Sequence, residues 1–268
     1  MPTVDHQPLP ALPALPASTA DLAEISTAQW RAVLAAAPEV AAGWMAAAAQ
    51  LGHAEAQAVL GQWHLDGHGV ARDPAQALHW FLRAAQLGHA LAMNMAGRCH
   101  EQGWGTRADA GKAVHWYRQA ERLGLPEARY NLANLLAAGT GVKRDHAEAF
   151  GLYQRATEQG FAKAFAKLGR YFEDGQIVPQ DRAKALDCYR RGAEGGDFRG
   201  QFCYAGLLAE DGRQAEALHW LAQVPETATP RFLEQAGALL LQSPHDAFRA
   251  VGERMLETLR RPTCGGAP

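Results

Sequence analysis

Five glycines divide most of this sequence into segments of equal length. Gly52 is followed by further glycines at intervals of 36 residues, namely Gly88, Gly124, Gly160 and Gly196. A fixed period of roughly 20 to 50 residues is typical of repeat proteins, in which one unit cannot bury its apolar face without a neighbour. The period therefore predicts an array of stacked units rather than one or two globular domains.

Each period contains the signals of a helix, a turn and a second helix. In the first full period, helix-forming residues run from Ala54 to about Asp66, glycines follow, and Asp73-Pro74 comes next. Aspartate suits a helix N-cap, and proline suits the first helical position after it. The same aspartate recurs at 36-residue intervals, as Asp109, Asp145 and Asp181. With 48% hydrophobic residues, many of them alanine, the chain is predicted to be all-α.

The motif resembles the Sel-one-like repeat family (SLR), a relative of the tetratricopeptide repeat. The first copy carries the family's residues in the family's order: Leu60-Gly61, His64 at the tyrosine position, Gly67, Gly69-Val70, Asp73, Ala77, Trp80-Phe81, Ala84-Ala85 and Gly88. The resemblance covers roughly residues 38–224. It implies a right-handed α-α superhelix (solenoid) of about five 36-residue helix-turn-helix repeats with terminal capping helices.

The repeat boundaries and the flanking composition predict five regions. These are a disordered Pro-rich leader at 1–20, a degenerate N-terminal capping repeat at 21–53, five repeats at 54–224, C-terminal capping helices at 225–262 and a flexible tail at 263–268. Ser26 or Thr27 is expected to cap the first helix of the capping repeat, and Pro38 to open the second. Ser243-Pro244 is expected to begin the last helix.

Charge and cysteine content exclude several classes of function. The 26 basic and 28 acidic residues leave a net charge of −2, without the basic stripe that nucleic-acid binding or membrane-surface binding needs. No apolar run is long enough for membrane insertion, and the prolines before residue 20 argue against a signal peptide. The four cysteines are irregularly spaced, which predicts reduced thiols and a cytoplasmic location.

The 11 histidines do not predict a metal site. His64 and His100 occupy the position of the family's packed tyrosine, so we expect them to fill an aromatic slot. Equivalent positions in neighbouring repeats lie about 9–10 Å or more apart, which is too far for two imidazoles to share one zinc ion. No nucleophile elbow and no phosphate-binding loop is present. We therefore expect no cofactor and no catalysis, and a hydrolase-like or metal-dependent enzyme is the less favoured alternative.

The resemblance implies that the first helix of each repeat lines a concave groove that binds a partner. Two residues after the motif leucine, the outward position is polar in four repeats: Gln62, Arg98, Asn134 and Arg170. One turn earlier on the same face, two repeats carry Asn94 and Tyr130. The alternative is a solvated face on which Glu101 and Glu173 neutralise the two arginines. Trp104 lies between two loop glycines, where it either contacts a partner or folds back onto a neighbouring loop.

These features predict a bacterial-type scaffold, adaptor or regulator that holds a partner protein or peptide in the groove. An immunity-type or inhibitory binding protein is the second hypothesis, because the same fold permits it.

Overall fold

The structure, a computed structural model, describes residues 11, 12 and 14–260. The predicted flexible tail at 263–268 lies outside the described residues, as do positions 1–10 and 13 of the predicted leader. The chain divides into two compact units, Met1–Arg144 and Asp145–Pro268.

Fifteen α-helices form the regular structure of the described residues, which contain no strand. The first unit contains α1 (Thr19–Glu24), α2 (Thr27–Leu34), α3 (Pro38–Gln50), α4 (Ala54–Asp66), α5 (Pro74–Gln86), α6 (Ala90–Gln102), α7 (Ala110–Arg122) and α8 (Pro126–Ala138). The second unit contains α9 (His146–Glu158), α10 (Ala162–Asp174), α11 (Arg182–Glu194), α12 (Phe198–Glu210), α13 (Gln214–Thr227), α14 (Pro230–Leu240) and α15 (Asp246–Arg260). The prediction of an all-α repeat fold is confirmed.

Five helices begin at the predicted capping residues. The Asp73 side chain accepts hydrogen bonds from the backbone N–H groups of Ala75 and Gln76, and Pro74 is the first residue of α5. The side chains of Asp109, Asp145 and Asp181 cap α7, α9 and α11 in the same way. Ser26 caps α2. Each cap satisfies backbone donors that the first helical turn leaves without partners.

The predicted start of the last helix is wrong by two residues, because α15 begins at Asp246 rather than at Pro244. The carbonyl of His245, and not that of Ser243, accepts the first helical hydrogen bonds, from the N–H groups of Phe248 and Arg249. The Ser243 hydroxyl instead accepts a hydrogen bond from the N–H of His245 at 3.3 Å. Ser243 and Pro244 therefore belong to the turn that precedes the helix.

In the first unit, each helix from α2 to α7 packs against the next one along the chain. Its core contains Trp44 and Trp80 in one cluster, and Phe81 with several alanines in another. The histidines before the second-helix tryptophans, His79 and His115, are exposed, as expected for the solvent side of α5 and α7. The large rings thus join helices within the core, while the small alanines allow close approach.

Neighbouring helix pairs in the first unit also meet through a loop glycine. A Cβ atom at Gly69, Gly105 or Gly141 would overlap the backbone at the start of the preceding second helix, at Pro38, Pro74 and Ala110 respectively. Each of these glycines has a positive φ, between 66° and 71°. The second loop glycine of the motif therefore has two roles. It allows the turn between the two helices of one pair, and it allows that turn to contact the neighbouring pair.

In the second unit, α9 to α13 pack in chain order, and α10 also contacts α12. The helix α14 packs against α15, which in turn contacts α13. One apolar cluster joins Tyr189 of α11, Leu208 of α12 and Met255 of α15. The helix α13 continues through Pro225 to Thr227. Because this proline lies in the last turn, it disturbs few of the helix's hydrogen bonds.

Candidate functional site

The predicted polar row of the first unit lies on the first helices α4, α6 and α8. Gln62 and Asn134 are half-buried at equivalent positions of α4 and α8, whereas Arg98 is exposed on α6. The Gln62 side-chain nitrogen donates a hydrogen bond to Asp66 Oδ2 at 2.8 Å. Tyr130, one turn before Asn134, is also half-buried. The row therefore presents one exposed cation between two partly covered amides.

The structure brings Arg98 and Trp104 together. The guanidinium carbon of Arg98 lies 5.0 Å from the centre of the Trp104 ring, within the range of a cation–π contact. Trp104 is half-buried and packs against the cluster that contains Phe81 and Cys99. One part of the indole thus anchors the loop, and the rest supports an exposed arginine. Trp104 thus packs against its own chain, and its contact with a partner stays a prediction.

Asn94 lies beneath this surface. Its side chain is buried, with 6% of its area exposed, and its Oδ1 accepts a hydrogen bond from Asn131 Nδ2 at 2.9 Å. This bond joins α6 to α8 one turn away from Arg98. Asn94 consequently reaches the surface only through Asn131, and its own amide is not available to a large ligand.

Glu101 and Glu173 accept hydrogen bonds from buried tyrosines, whereas the alternative of a solvated face paired them with the two arginines. Glu101 accepts a hydrogen bond from the Tyr117 hydroxyl at 2.6 Å, and Glu173 accepts one from Tyr189 at 2.6 Å. Both tyrosines are buried, so their hydroxyl groups need an acceptor inside the protein. Burial and the hydrogen-bonded glutamate raise the pKa of both tyrosines. The two glutamates therefore act as hydrogen-bond acceptors for buried tyrosine hydroxyl groups.

Arg98 and Arg170 differ in whether another carboxylate forms an ion pair with them. In the second unit, the Arg170 side chain is 74% exposed and pairs with Asp174, with 3.5 Å between the charged atoms. In the first unit, the position four residues after Arg98 is Gln102, and no carboxylate of the described residues pairs with Arg98. Arg98 is thus the more available of the two for a partner's anionic group.

Two histidines that directly follow a closing glycine cap first helices. Nδ1 of His53 accepts a hydrogen bond from the N–H of Ala56, and Nδ1 of His89 accepts one from Ala92. Nε2 of His89 lies 2.8 Å from Glu55 Oε2, which links the starts of α4 and α6. Since Nδ1 must accept, the proton of a neutral His89 ring lies on Nε2 and is donated to Glu55. The signal was present in the sequence as a histidine between the closing glycine and the first helical alanine.

His100 fills the buried aromatic slot, as predicted. Only 6% of its area is exposed, and no hydrogen-bond partner for its Nδ1 lies among the described residues. Burial lowers the pKa of His100, and the nearby positive charge of Lys112 lowers it further, while Asp109 opposes this. A buried polar atom without a partner costs about 1–3 kcal/mol. His100 is therefore a source of instability that an apolar ring would remove.

We expect His100→Phe to raise the free energy of unfolding by about 1 kcal/mol at pH 7.5, and by more at pH 5. The folded-state pKa lies below the ordinary value of 6.5, so the unfolded chain binds the proton more readily. The wild type must then lose stability as the pH falls below 6.5, and the variant must lack that loss. Urea unfolding across this pH range measures it. The exposed His115→Phe is the matched control, and equal pH dependence in all three proteins would refute the assignment.

Metal binding and thiol chemistry find little support in the described part of the chain. No group of three or more His, Cys, Asp or Glu side chains is placed there to hold a metal ion. Cys99 and Cys188 are buried and Cys203 is half-buried, and none of the three forms a disulfide. Burial raises the pKa of each to about 11, which keeps the thiols protonated and unreactive. Cys264 lies outside the described residues.

Both rows of first-helix positions continue one repeat further than predicted. Thirty-six residues after Ala166 and Arg170 come Phe202 and Gly206, which lie on α12 and line an apolar pocket of about 250 Å³. Lys163 and Lys167, which precede Arg170 at helical spacing on α10, were also not predicted as site residues. The spacing was a usable signal in both cases.

Comparisons with known proteins agree with this architecture. A family model described as the Sel1 repeat matches residues 54–89, 90–125, 126–161 and 162–197. No curated protein matches the sequence. A Sel1 repeat protein from Oxalobacter formigenes is 25% identical, with a TM-score of 0.72, over 87% of this chain and 98% of that one. No helix in the described part of the chain is long and apolar enough to cross a membrane.

Two further solved structures share the fold. The protective antigen c5321 of uropathogenic Escherichia coli, which displays an SLR fold, is 24% identical with a TM-score of 0.67. The match covers 90% of this chain and 54% of that one. The immunity protein Pa5087 of Pseudomonas aeruginosa is 14% identical with a TM-score of 0.53, over 77% of this chain and 81% of that one. At these identities the likeness concerns the fold alone.

Proposed function

This chain belongs to the Sel1 repeat family, whose repeats generally serve as protein–protein interaction scaffolds. We propose that it is a non-enzymatic adaptor or regulator in the cytoplasm. It holds a partner protein or peptide on the surfaces formed by its first helices. In the first unit this surface contains Gln62, Arg98, Tyr130, Asn134 and Trp104, with Asn94 acting through Asn131. In the second unit it contains Arg170.

The observation that carries this proposal is the contact between Arg98 and Trp104. An exposed arginine held over a half-buried indole is a rigid, amphipathic pair, and Arg and Trp are enriched among the residues that dominate binding energies. Four residues after Arg98 the chain carries the uncharged Gln102 instead of a carboxylate. The guanidinium group of Arg98 therefore keeps its donors for a carboxylate or a backbone carbonyl of a partner. The indole meanwhile offers part of its face for apolar contact.

We expect Arg98→Glu to weaken partner binding at least about tenfold while the helix content stays unchanged. The partner is first captured by the full chain from a lysate of its source cells and identified by mass spectrometry. Its affinity is then measured by calorimetry against the wild type, Arg98→Glu, Arg170→Glu and the double variant. The double variant should bind most weakly.

Arg83 offers a matched control for Arg98. Its guanidinium carbon lies 5.4 Å from the Trp80 ring centre, so it forms the same kind of contact, but on the second helix α5. Arg83→Glu makes the same change of charge and should leave the affinity unchanged. If Arg98→Glu binds the partner with full affinity, or if Arg83→Glu loses as much affinity as Arg98→Glu, the first-helix surface does not bind the partner.

An immunity-type role is the second candidate, and the fold shared with Pa5087 favours it. In that case the captured partner is a toxic enzyme, and binding on the same surface blocks its activity. Assaying the purified partner with and without this chain separates the two roles. An adaptor leaves the partner's activity intact, whereas an immunity-type protein suppresses it in proportion to occupancy.

A further inference from the structure

Three basic side chains follow one face of α10 in the second unit. Lys163, Lys167 and Arg170 are spaced by four and three residues, which places them on the same side of a helix. The helix α10 contacts α12, where Arg199 lies near enough to Lys167 to affect its charge. Four cations thus gather where the two first helices of this unit meet.

This group is only partly neutralised within the described residues. Arg170 pairs with Asp174 at 3.5 Å, and Arg199 lies 3.9 Å from the nearer carboxylate oxygen of Asp197. Lys163 and Lys167 form no ion pair with any described residue. The surface therefore carries a surplus of positive charge although the whole chain carries a net charge of −2.

Asp197, the carboxylate nearest to Arg199, already has a structural role. Asp197 is buried, with 4% of its area exposed, and caps α12 by accepting a hydrogen bond from the N–H of Gly200 at 3.0 Å. Burial raises the pKa of Asp197. Burial also lowers the pKa of Lys167, and the charges of Arg199 and Arg170 lower it further. An added anion would relieve this repulsion.

An apolar pocket opens further along the same face of α12. Phe202 and Gly206 lie one and two turns after Arg199, and the pocket continues to side chains of α13, α14 and α15, namely Leu221, Leu239, Leu240 and Phe248. Its volume of about 250 Å³ is below the usual range of roughly 300–1,000 Å³ for pockets that hold drug-sized molecules. It suits one bulky apolar side chain of a larger partner.

We propose that the second unit binds an acidic peptide segment that carries a bulky apolar residue, with its carboxylates on Lys163, Lys167 and Arg199 and its apolar side chain in the pocket beside Phe202 and Gly206. Charge complementarity selects an acidic ligand, and the adjoining pocket selects a peptide over a nucleic acid. The inference rests on the proposed function, since it gives the chemistry of the partner that the second unit would hold.

The test uses a short fluorescein-labelled peptide of glutamates and aspartates around a central phenylalanine, titrated with the full chain and followed by fluorescence anisotropy. A second peptide has serine in place of the phenylalanine, and a third has lysines in place of the acidic residues. An unlabelled single-stranded oligonucleotide serves as competitor. We expect the first peptide to bind at least about tenfold more tightly than the second, and the third not to bind.

Two protein variants separate the charge from the pocket. Lys163→Glu/Lys167→Glu should abolish binding of the first peptide. Gly206→Leu should reduce the affinity for the first peptide to that for the serine peptide and leave the latter unchanged. A side chain at Gly206 meets open space, and leucine favours the helix, so this variant should fold. Lys184→Glu/Arg254→Glu, which makes the same charge change on α11 and α15, is the matched control.

Several outcomes would overturn the inference. They are failure of the acidic peptide to bind, equal binding of the serine peptide, insensitivity to Gly206→Leu, or displacement of the peptide by a lower concentration of oligonucleotide than of unlabelled peptide. If a captured partner still depends on Arg98 while the acidic peptide fails to bind, the proposed function stands and this inference falls. If the peptide binds as expected but no partner depends on Arg98, the reverse holds.

Discussion

Gly105→Ala is expected to lower the free energy of unfolding of the first unit by about 4 kcal/mol or more. The φ of Gly105 is 69°, a conformation that costs an L-residue about 1–2 kcal/mol. A Cβ atom there would also overlap the carbonyl group of Pro74 and lie 2.7 Å from the Cα of Ala75. Both are backbone atoms at the start of α5, which cannot move without displacing the helix.

Tryptophan fluorescence in a urea titration is a suitable measurement, because six of the seven tryptophans precede residue 120. Gly88→Ala is the control. Its φ is 84°, but a side chain there meets open space, so it should lose only the conformational part of about 1–2 kcal/mol. Equal losses in the two variants would show that the contact with Pro74 contributes nothing to stability.

Gly97→Ala should lower the free energy of unfolding by about 2 kcal/mol, although alanine is the better helix former. A Cβ atom at Gly97 would lie 2.5 Å from the Tyr117 ring. Tyr117 is fully buried and its hydroxyl group is held by Glu101 at 2.6 Å, so the ring cannot turn away. The overlap therefore outweighs the gain in helix propensity.

Gly43→Ala is the counterpart within α3, where a side chain meets no atom within 4 Å. It should raise stability by about 0.5–1 kcal/mol. Combining Gly97→Ala with Tyr117→Leu should cost less than the sum of the two single changes, because leucine lacks the ring that causes the overlap. A stabilising Gly97→Ala, or strictly additive losses, would contradict this account.

The helices could be predicted from the sequence because each boundary depends on a local backbone requirement. Asp73 accepts from N–H groups two and three residues away, and Pro74 follows it directly. These signals need no knowledge of the rest of the fold. The start of α15 was misplaced because Ser243-Pro244 carries the cap-and-proline signal of a helix start, whereas the carbonyl of His245, two residues after Ser243, is the first helical acceptor.

The contacts between helices could not be predicted in the same way. Glu101 lies three residues after Arg98, a spacing that left an ion pair between the two as an alternative. The buried hydroxyl of Tyr117, on the following helix, takes that carboxylate instead. The cost of a buried hydroxyl without a partner exceeds the gain from an exposed ion pair, but only the packed structure shows which groups are buried.

The candidate site was predicted in part. Register alone identified Arg98 and Trp104, and the structure adds that they touch. The basic group around Lys167 depends on α10 lying against α12, and the pocket near Phe202 depends on α14 and α15, for which no repeat register exists. Binding of a partner at the surface around Arg98, and of an acidic peptide near Lys167, stays a prediction.

The approach of Gly105 to Pro74 also sets a rule for exchanging hairpins between proteins of this kind. A graft joined at Gly88 or Gly124 would place its junction where any side chain meets open space. The incoming loop must nevertheless bring a glycine to the position of Gly105, since the preceding hairpin offers no room for a side chain. Chimeras that keep a glycine at this position should fold with helix hairpins exchanged between proteins. The first helices of the exchanged hairpins can then provide new binding surfaces.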